Sequence, residues 1–287
     1  METKMYVIAH NKAAIPRVQS YVSMFVGAAL HGTDGGFDIR DDTGDNISAK
    51  NPNYCELTGV YWIWKNSSAD IVGISHYRRF FSKNAIFGSF KHFVTGKEME
   101  ELLAKKRMVL PKPRCSSSTI LLATNIGPNM ADVKEMHDAI QSCAPDYMED
   151  YKWFFNQNKS PLFNMCIMKK ADFDAYCAWL FPILAHVEKY HDMEAETIPY
   201  RRRLYGFLSE RLFPVWVHHN VAASDIAELP VVNTSESDLT RVRRWFGNIY
   251  RNFAYLLTKN QTKKQKKHTE LSERVFGCRP PDVGTPT

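Results

Sequence analysis

Four consecutive side chains, His76, Tyr77, Arg78 and Arg79, close a short apolar run at 71–74. Two adjacent guanidiniums offer forked donors that fit a phosphate or a carboxylate, so the chemistry they suggest is anion binding. An apolar run flanked by polar residues reads as a central parallel strand, and open α/β sheets bind ligands beyond the carboxyl ends of such strands. His10 and Lys12 end a first apolar run at 6–9 in the same way. Asn46, Ser48, Lys50 and Asn51 form a polar loop before a helix start, where free backbone donors favour anions. Each group has a plainer reading: an arginine paired with Asp41, Asp42 or Asp45, His10 as a satisfied cap, and Asn51 as the helix N-cap.

The elements around these residues follow from pattern. Pro52 suits the first position of a helix capped by Asn51, and Leu57, Val60, Tyr61 and Trp64 make one apolar stripe along it. Strong helix formers at 96–107 precede a strand at 108–110 that Pro111 closes. A loop is expected over 112–128, helices at about 131–143 and 145–157, and a buried strand at 163–168. A long helix over 171–190 contains Pro182, a helix covers 201–212, and 215–217 reads as the last strand. Strands alternating with helices predict an α/β fold, a mostly parallel sheet flanked by helices. Trp62, Trp64, Trp153 and Trp179 are expected in the core.

Composition is that of a globular protein, 44% hydrophobic, 13% aromatic and 24% charged over 287 residues. No long uncharged apolar run encodes a membrane span. The six cysteines are scattered without a C-x-x-C pair, which argues against a zinc site or a disulfide framework and for a reducing cytosol. The net charge is +6, yet residues 239–269 carry nine positive charges and no acid, leaving +6 − 9 = −3 for the remainder. With an acidic body and no basic stripe interleaved with aromatics, nucleic acid is not expected as a partner. Residues 1–235 are read as the main domain. Over 236–267 a basic amphipathic helix, with Val242, Trp245, Phe246, Ile249, Phe253, Leu256 and Leu257 on one face, has the composition of an interfacial helix on an anionic membrane. Its alternative is a helix packed on the domain with its charges solvated. Residues 268–287 are expected to be disordered.

Several long blocks resemble a bacterial family first catalogued as a domain of unknown function, whose members occur among capsular polysaccharide, exopolysaccharide and O-antigen synthesis enzymes. These are Asp-Thr-Gly-Asp-Asn-Ile-Ser-x-Lys-Asn-x-x-Tyr-Cys-Glu-Leu-Thr at 42–58, Tyr-Trp-Ile-Trp-Lys-Asn at 61–66 and His-Tyr-Arg-Arg at 76–79. Asn-Met-x-Ile-Met-Lys-Lys at 164–170, Tyr-Cys-x-Trp-Leu-Phe at 176–181 and Arg-x-x-Gly-Phe-Leu-Ser-Glu-Arg-Leu at 203–212 follow in the family's order. The resemblance covers roughly 5–220 and implies a GT-A-like glycosyltransferase. Its donor would be a UDP-sugar, galactose in pyranose or furanose form first, and its acceptor a saccharide, free or lipid-linked. Its place would be the cytoplasmic face of the plasma membrane, with residues 239–267 on the anionic surface.

Such transfer needs the leaving diphosphate neutralised and, for inversion, a base for the acceptor hydroxyl. GT-A enzymes place an Asp-x-Asp metal site at the strand end that here reads His-Tyr-Arg-Arg. Arg78 and Arg79, with His76, are therefore expected to replace the metal, so that no cofactor beyond the donor is required. A manganese or magnesium ion on Asp42 and Asp45 is the alternative. Tyr54, Tyr77, Asn164 and Arg203 complete the expected donor contacts. Glu210 is the candidate base, since Gly206 permits close approach and Leu208, Leu212 and Phe213 can bury the carboxylate's surroundings and raise its pKa. Against it stand a structural pair with Arg203 or Arg211, Glu56 as a second candidate, and retention of configuration, which needs no such base. The rival of another class is a non-catalytic α/β module that binds anions or membranes.

Overall fold

The computed structural model of the chain describes residues 1–11, 15, 16, 18–32, 36–124, 130–161, 163–191 and 201–277. The strands are β1 (Thr3–Ala9), β2 (Tyr21–Phe25), β3 (Ile39–Arg40), β4 (Ile71–His76), β5 (Arg79–Phe81) and β6 (Met108–Pro111). They continue with β7 (Arg114–Cys115), β8 (Lys159–Ser160), β9 (Cys166–Lys169), β10 (Ile226–Leu229) and β11 (Val231–Asn233). The helices are α1 (Ala28–His31), α2 (Asn51–Tyr54), α3 (Leu57–Asn66), α4 (Gly96–Leu103), α5 (Ile120–Thr124) and α6 (Met130–Cys143). After these come α7 (Met148–Asn156), α8 (Lys170–Glu188), α9 (Leu204–Asn220), α10 (Asp238–Thr258) and α11 (Thr262–Phe276).

The central sheet runs β10-β6-β9-β4-β1-β2-β3, with β5 and β11 paired beside β4. Along that order neighbours are parallel except at β9, which is antiparallel to both β4 and β6, and β5 is antiparallel to β4 and to β11. The expected mostly parallel sheet is thus present. Met5 to Ala9 of β1 and Ile71 to Ser75 of β4 are buried on both faces, as a sheet covered by helices on each side requires. α3 lies close on this sheet because Gly59 has no side chain: a Cβ there would come within 2.9 Å of Met24 Sδ and of Val26 Cγ1. The antiparallel β9 has a functional consequence. Its start, the ends of β1, β2 and β4, and the end of β6 all come to one edge of the sheet.

Five expectations need correction. The helix expected from Asn51 onward is broken: Cys55 takes φ +52°, α2 stops there and α3 begins at Leu57. The N-cap is Lys50 rather than Asn51, which is itself the first helical residue. Residues 215–217 belong to α9, which continues through Pro214, and the final strands are β10 and β11. An apolar run buried all round has no period that separates helix from strand, which is why the local pattern misleads there. The expected loop over 112–128 contains β7 and α5, and the tail expected to be disordered from 268 is helical through Phe276. His268, Leu271, Val275 and Phe276 anchor it in the core beside Tyr151 and Phe155.

The amphipathic helix α10 is mounted inside out. Arg241, Arg244, Asn248, Arg251 and Tyr255 face the body, whereas Trp245, Phe246, Ile249, Tyr250, Phe253, Leu256 and Leu257 are all at least half exposed. Packing of its apolar stripe on the domain is excluded. Among the described residues no helix is long and apolar enough to cross a membrane.

Candidate active site

The edge where β1, β4 and β6 end gathers most of the side chains with unmet chemistry. His10 follows β1 and His76 ends β4; Arg79 opens β5 and Arg114 opens β7, just beyond β6. Asn164 precedes β9, Glu56 sits at the α2–α3 break, and Arg203 and Glu210 come from the start of α9.

Backbone strain concentrates here. Four non-glycine residues among those described have positive φ, and Cys55, Phe163 and Asn164 are three of them. Each such residue costs on the order of 1–3 kcal/mol and persists only where the surroundings over-determine it. Asn164 tolerates the left-handed region, but Phe163 at φ +82° does not do so easily. His76 holds this turn, its Nε2 lying 2.5 Å from the Phe163 carbonyl oxygen. Burial lowers the His76 pKa, and the positive charges of Arg79 and Arg203 act the same way against Glu56. The ring is therefore neutral, and it positions the turn.

Asn164 ties three elements together. Its Nδ2 donates to Glu56 Oε1 at 2.9 Å and to Ser209 Oγ at 2.7 Å, and lies 3.3 Å from the Gly206 carbonyl. Gly206 meets Cys55 and Glu56 rather than leaving room for a ligand, since a Cβ there would lie 3.4 Å from Cys55 Cβ. Arg203 Nε donates to Cys55 Sγ at 3.3 Å. Glu56 is thus fixed by a donor, while Glu210 on the same helix face as Gly206 accepts no hydrogen bond and makes no ion pair among the described residues. Burial first, then the charge of Glu56, pushes the Glu210 pKa up to about 7; Arg211, Arg79 and Arg203 pull the other way. The competing structural pair of Glu210 with Arg203 or Arg211 is absent. A carboxyl poised near neutrality beside positive charge can take a proton from a hydroxyl.

The cations are poised too. Arg79 and Arg114 place their guanidinium carbons 4.4 and 5.1 Å from the centroid of the Phe163 ring. Arg78, exposed, lies 4.6 Å over Tyr77, whose ring meets His10 edge-on at 5.3 Å. None of these three arginines has a carboxylate partner among the described residues. Burial lowers the His10 pKa, and Arg203 and Arg78 lower it further.

Several expected donor contacts are occupied elsewhere. Lys50 Nζ is 2.8 Å from both oxygens of Glu188, and the Tyr54 hydroxyl donates to the same carboxylate while its buried ring packs on Tyr205. Ser48 is fully buried and donates to Asp41 at 2.5 Å. Asn51 is turned to the Cys55 carbonyl and Thr58, and Asn46 closes its own turn through Gly44 and Ser48. These residues build the loop. Asp42 pairs with Arg40 and Asp45 accepts from Tyr61, so both carboxylates of the alternative metal site are turned to protein partners. Among the described residues no group of three or more His, Cys, Asp or Glu is placed to hold a metal ion. Lys12 lies outside the described residues. Cys55, Phe163, Ser209 and Arg114 were not anticipated. Arg114 had a usable signal, since Pro-Lys-Pro-Arg directly follows the apolar run at 108–110 and so stands at a strand's carboxyl end.

Residues 4–221 match the family described as a domain of unknown function, DUF4422. The chain belongs to that family. No curated protein matches it. Among solved structures, that of apo WbbM, described as a bifunctional glycosyltransferase, is similar with a TM-score of 0.74 and 28% identity, over 82% of this chain and 46% of that one. The DUF4422 chain therefore spans less than half of that structure. β10, β11, α10 and α11 lie beyond the matched region.

Proposed function

We propose that this chain is a glycosyltransferase that moves a hexose from a UDP-sugar to a saccharide acceptor during assembly of a bacterial surface polysaccharide: capsule, exopolysaccharide or O-antigen. The observation that carries the reading is Glu210, a carboxyl raised to about 7 that has no partner among the described residues, set at the sheet edge where nucleotides bind, beside arginines that have no carboxylate partner among those residues. The family and the likeness to WbbM support it. Galactose, pyranose or furanose, is the first choice of sugar on the family resemblance alone.

In the step proposed, Glu210 accepts the proton of the acceptor hydroxyl as its oxygen bonds to the anomeric carbon. The bond from that carbon to the diphosphate breaks, UDP leaves with the electron pair, and configuration inverts. Arg78, Arg79 and Arg203 offset the charge that grows on the diphosphate. No cofactor beyond the donor is proposed. The exposed apolar face of α10, with Lys263, Lys266 and Lys267 beyond it, would rest on an anionic membrane surface at the cytoplasmic side.

The test is UDP release from UDP-galactose and UDP-galactofuranose with a saccharide acceptor, each with EDTA and with manganese, alongside sedimentation with phosphatidylglycerol liposomes. Turnover in EDTA supports the arginine mechanism, and turnover only with manganese moves the chemistry to a metal. Liposome binding without turnover on any nucleotide sugar favours the non-catalytic module. A concentration-dependent dimer that ignores liposomes makes the α10 face a contact between copies of this chain.

A further inference from the structure

A cleft of about 640 Å³ opens between the segment that follows β5 and the start of α10, which forms its opposing wall. Phe87, Ser89, Lys91 and His92 line one side, Asp238 and Arg241 the other. Its size falls within the range of ligand sites, roughly 300–1,000 Å³. The segment is firmly held. Ser82 bridges to Phe93, the Lys83 amide donates to the His92 carbonyl at 2.8 Å, and the Lys83 ammonium meets Glu98 at 2.6 Å. Asn84 Oδ1 accepts from the Ile86 and Phe87 amides at 2.8 and 3.0 Å. Across the cleft Arg241 is saturated, since it pairs with Asp238 and donates to the carbonyls of Ile86, Asn233 and Glu236. The other polar groups of the lining are free: Ser89 Oγ, Lys91 Nζ and the His92 ring nitrogens make no hydrogen bond or ion pair among the described residues. Phe87 is 52% exposed, and its ring lies 6.4 Å from that of His92 at an inclination of 32°. The two rings make a shallow shelf.

We infer that this cleft holds an acidic saccharide acceptor, one sugar ring lying on Phe87 and His92 and a carboxylate meeting Lys91. This deepens the glycosyltransferase reading and rests on it. A sugar ring has an apolar face of C–H groups and a polar rim of hydroxyls, so its site needs an aromatic surface beside free donors and acceptors. Here the two rings supply the surface, and the Ser89 hydroxyl, the Asn84 amide nitrogen and the second Asp238 oxygen can bond hydroxyls. Charge decides the class of sugar. Arg241 and Asp238 offset each other, which leaves the exposed Lys91 ammonium as the lining cation with no carboxylate among the described residues. A carboxylate on the sugar would give it a charge-assisted bond. A recessed, polar-lined shelf suits a sugar better than a bilayer, which takes projecting apolar surface. Main-chain pairing ties the cleft to the catalytic edge. Arg79 lies opposite Asn233 in the β5–β11 pair, and the Asn233 carbonyl accepts from Arg241 Nε at 3.3 Å. The wall of the cleft is thus one hydrogen bond from the residue opposite Arg79, and a chain seated there can extend towards the edge.

The experiment is calorimetric titration of the full chain with trigalacturonic acid, with galactotriose of the same linkage and with UDP, for the wild type, Phe87→Ala and Lys91→Ala. The two sugars share their ring stereochemistry and differ in the carboxylates. The wild type should bind the acid about threefold more tightly, and Lys91→Ala should erase that preference. Phe87→Ala should weaken both sugars about tenfold and leave UDP within about twofold. A wild type that binds neither sugar, or prefers the neutral one, overturns the inference. So does unchanged sugar affinity in Phe87→Ala at the wild-type melting temperature, or equal weakening of UDP, which would assign the cleft to the donor. Should Phe87→Ala misfold, the exposed Lys91 decides: a preference for the acid that survives Lys91→Ala overturns the proposal. Sedimentation with phosphatidylglycerol liposomes tests the other occupant. Loss of liposome binding in Phe87→Ala with sugar affinity intact would make the shelf a membrane contact. Transfer assays judge the underlying reading separately. A wild type that binds trigalacturonic acid through Phe87 but uses no nucleotide sugar would refute the transferase and leave the cleft standing.

Discussion

Asp41 and Glu210 are both carboxylates drawn into the body of the protein, and their surroundings differ completely. Asp41 is fully buried and accepts from the Gly27 and Ala28 amides at 3.0 Å and from Ser48 at 2.5 Å. Glu210 accepts nothing among the described residues and feels the charge of a second carboxylate, Glu56, instead. The first arrangement satisfies every oxygen and locks the loop at 41–51 onto α1. The second leaves a carboxyl with its charge disfavoured and its proton available. A saturated carboxylate builds structure, and a frustrated one is free for chemistry.

The sharpest way to break this contrast is Glu210→Gln. If Glu210 is the base, UDP release should fall by about 10²–10⁴-fold with no loss of the folded state. A fall below about fivefold would return the residue to a structural role. The mirror experiment is Asp41→Ala, which orphans two backbone amides and one hydroxyl. It should cost about 3 kcal/mol in denaturant unfolding while turnover per folded molecule changes little. Lost turnover with stability intact would put Asp41 in the site.

The pH dependence sharpens the same comparison. Turnover should rise with pH through about 7 and level off above it, as Glu210 loses its proton. Stability runs the other way. The folded state holds this proton more tightly than the unfolded chain, so the contribution is present at pH below the ordinary carboxyl value and is lost as pH rises to about 7. Glu210→Gln should therefore be more stable than the wild type at pH 8 and lose that advantage near pH 5, read as the difference in melting temperature. The smallest effect expected is at Lys50→Ala. Its ion pair with Glu188 is partly exposed, so a loss under about 1 kcal/mol and unchanged UDP affinity are expected. A large rise in the UDP dissociation constant would restore Lys50 to the donor site.

The parts of this arrangement legible in the sequence are those fixed by local rules. The carboxyl-end rule finds His76, Arg78, Arg79 and His10, and local apolar context finds Glu210. The same rules over-count the loop at 41–51, because its polar groups are consumed by residues far along the chain: Lys50 by Glu188, and Asp41 by the turn after β2. Asn164 was anticipated, but its turn was not. A bulky residue at positive φ has no sequence signature, so Cys55 and Phe163 stayed hidden, and with them the fixing of Glu56. The periodicity of α10 is plain in the sequence, but which face would be covered is not. That depends on Asn248 and Arg251 finding the backbone of Pro113 and Cys115, more than a hundred residues earlier.

The spread of the site along the chain also bears on biosynthesis. The groups that would act together run from His10 to Glu210, with the wall from α10 later still. A ribosome-bound chain that has already made Arg79 has a cation with no base and no opposing wall, and Phe163 has nothing to force it into its unfavourable turn. The proposed centre would therefore be among the last features to mature, and a nascent or truncated polypeptide would stay inert. The same dependence makes turnover a stringent gauge of native integrity. In rising denaturant it should vanish before the helical signal does, because any local opening that lets the turn at 163–164 relax dissolves the site while most helices are still in place.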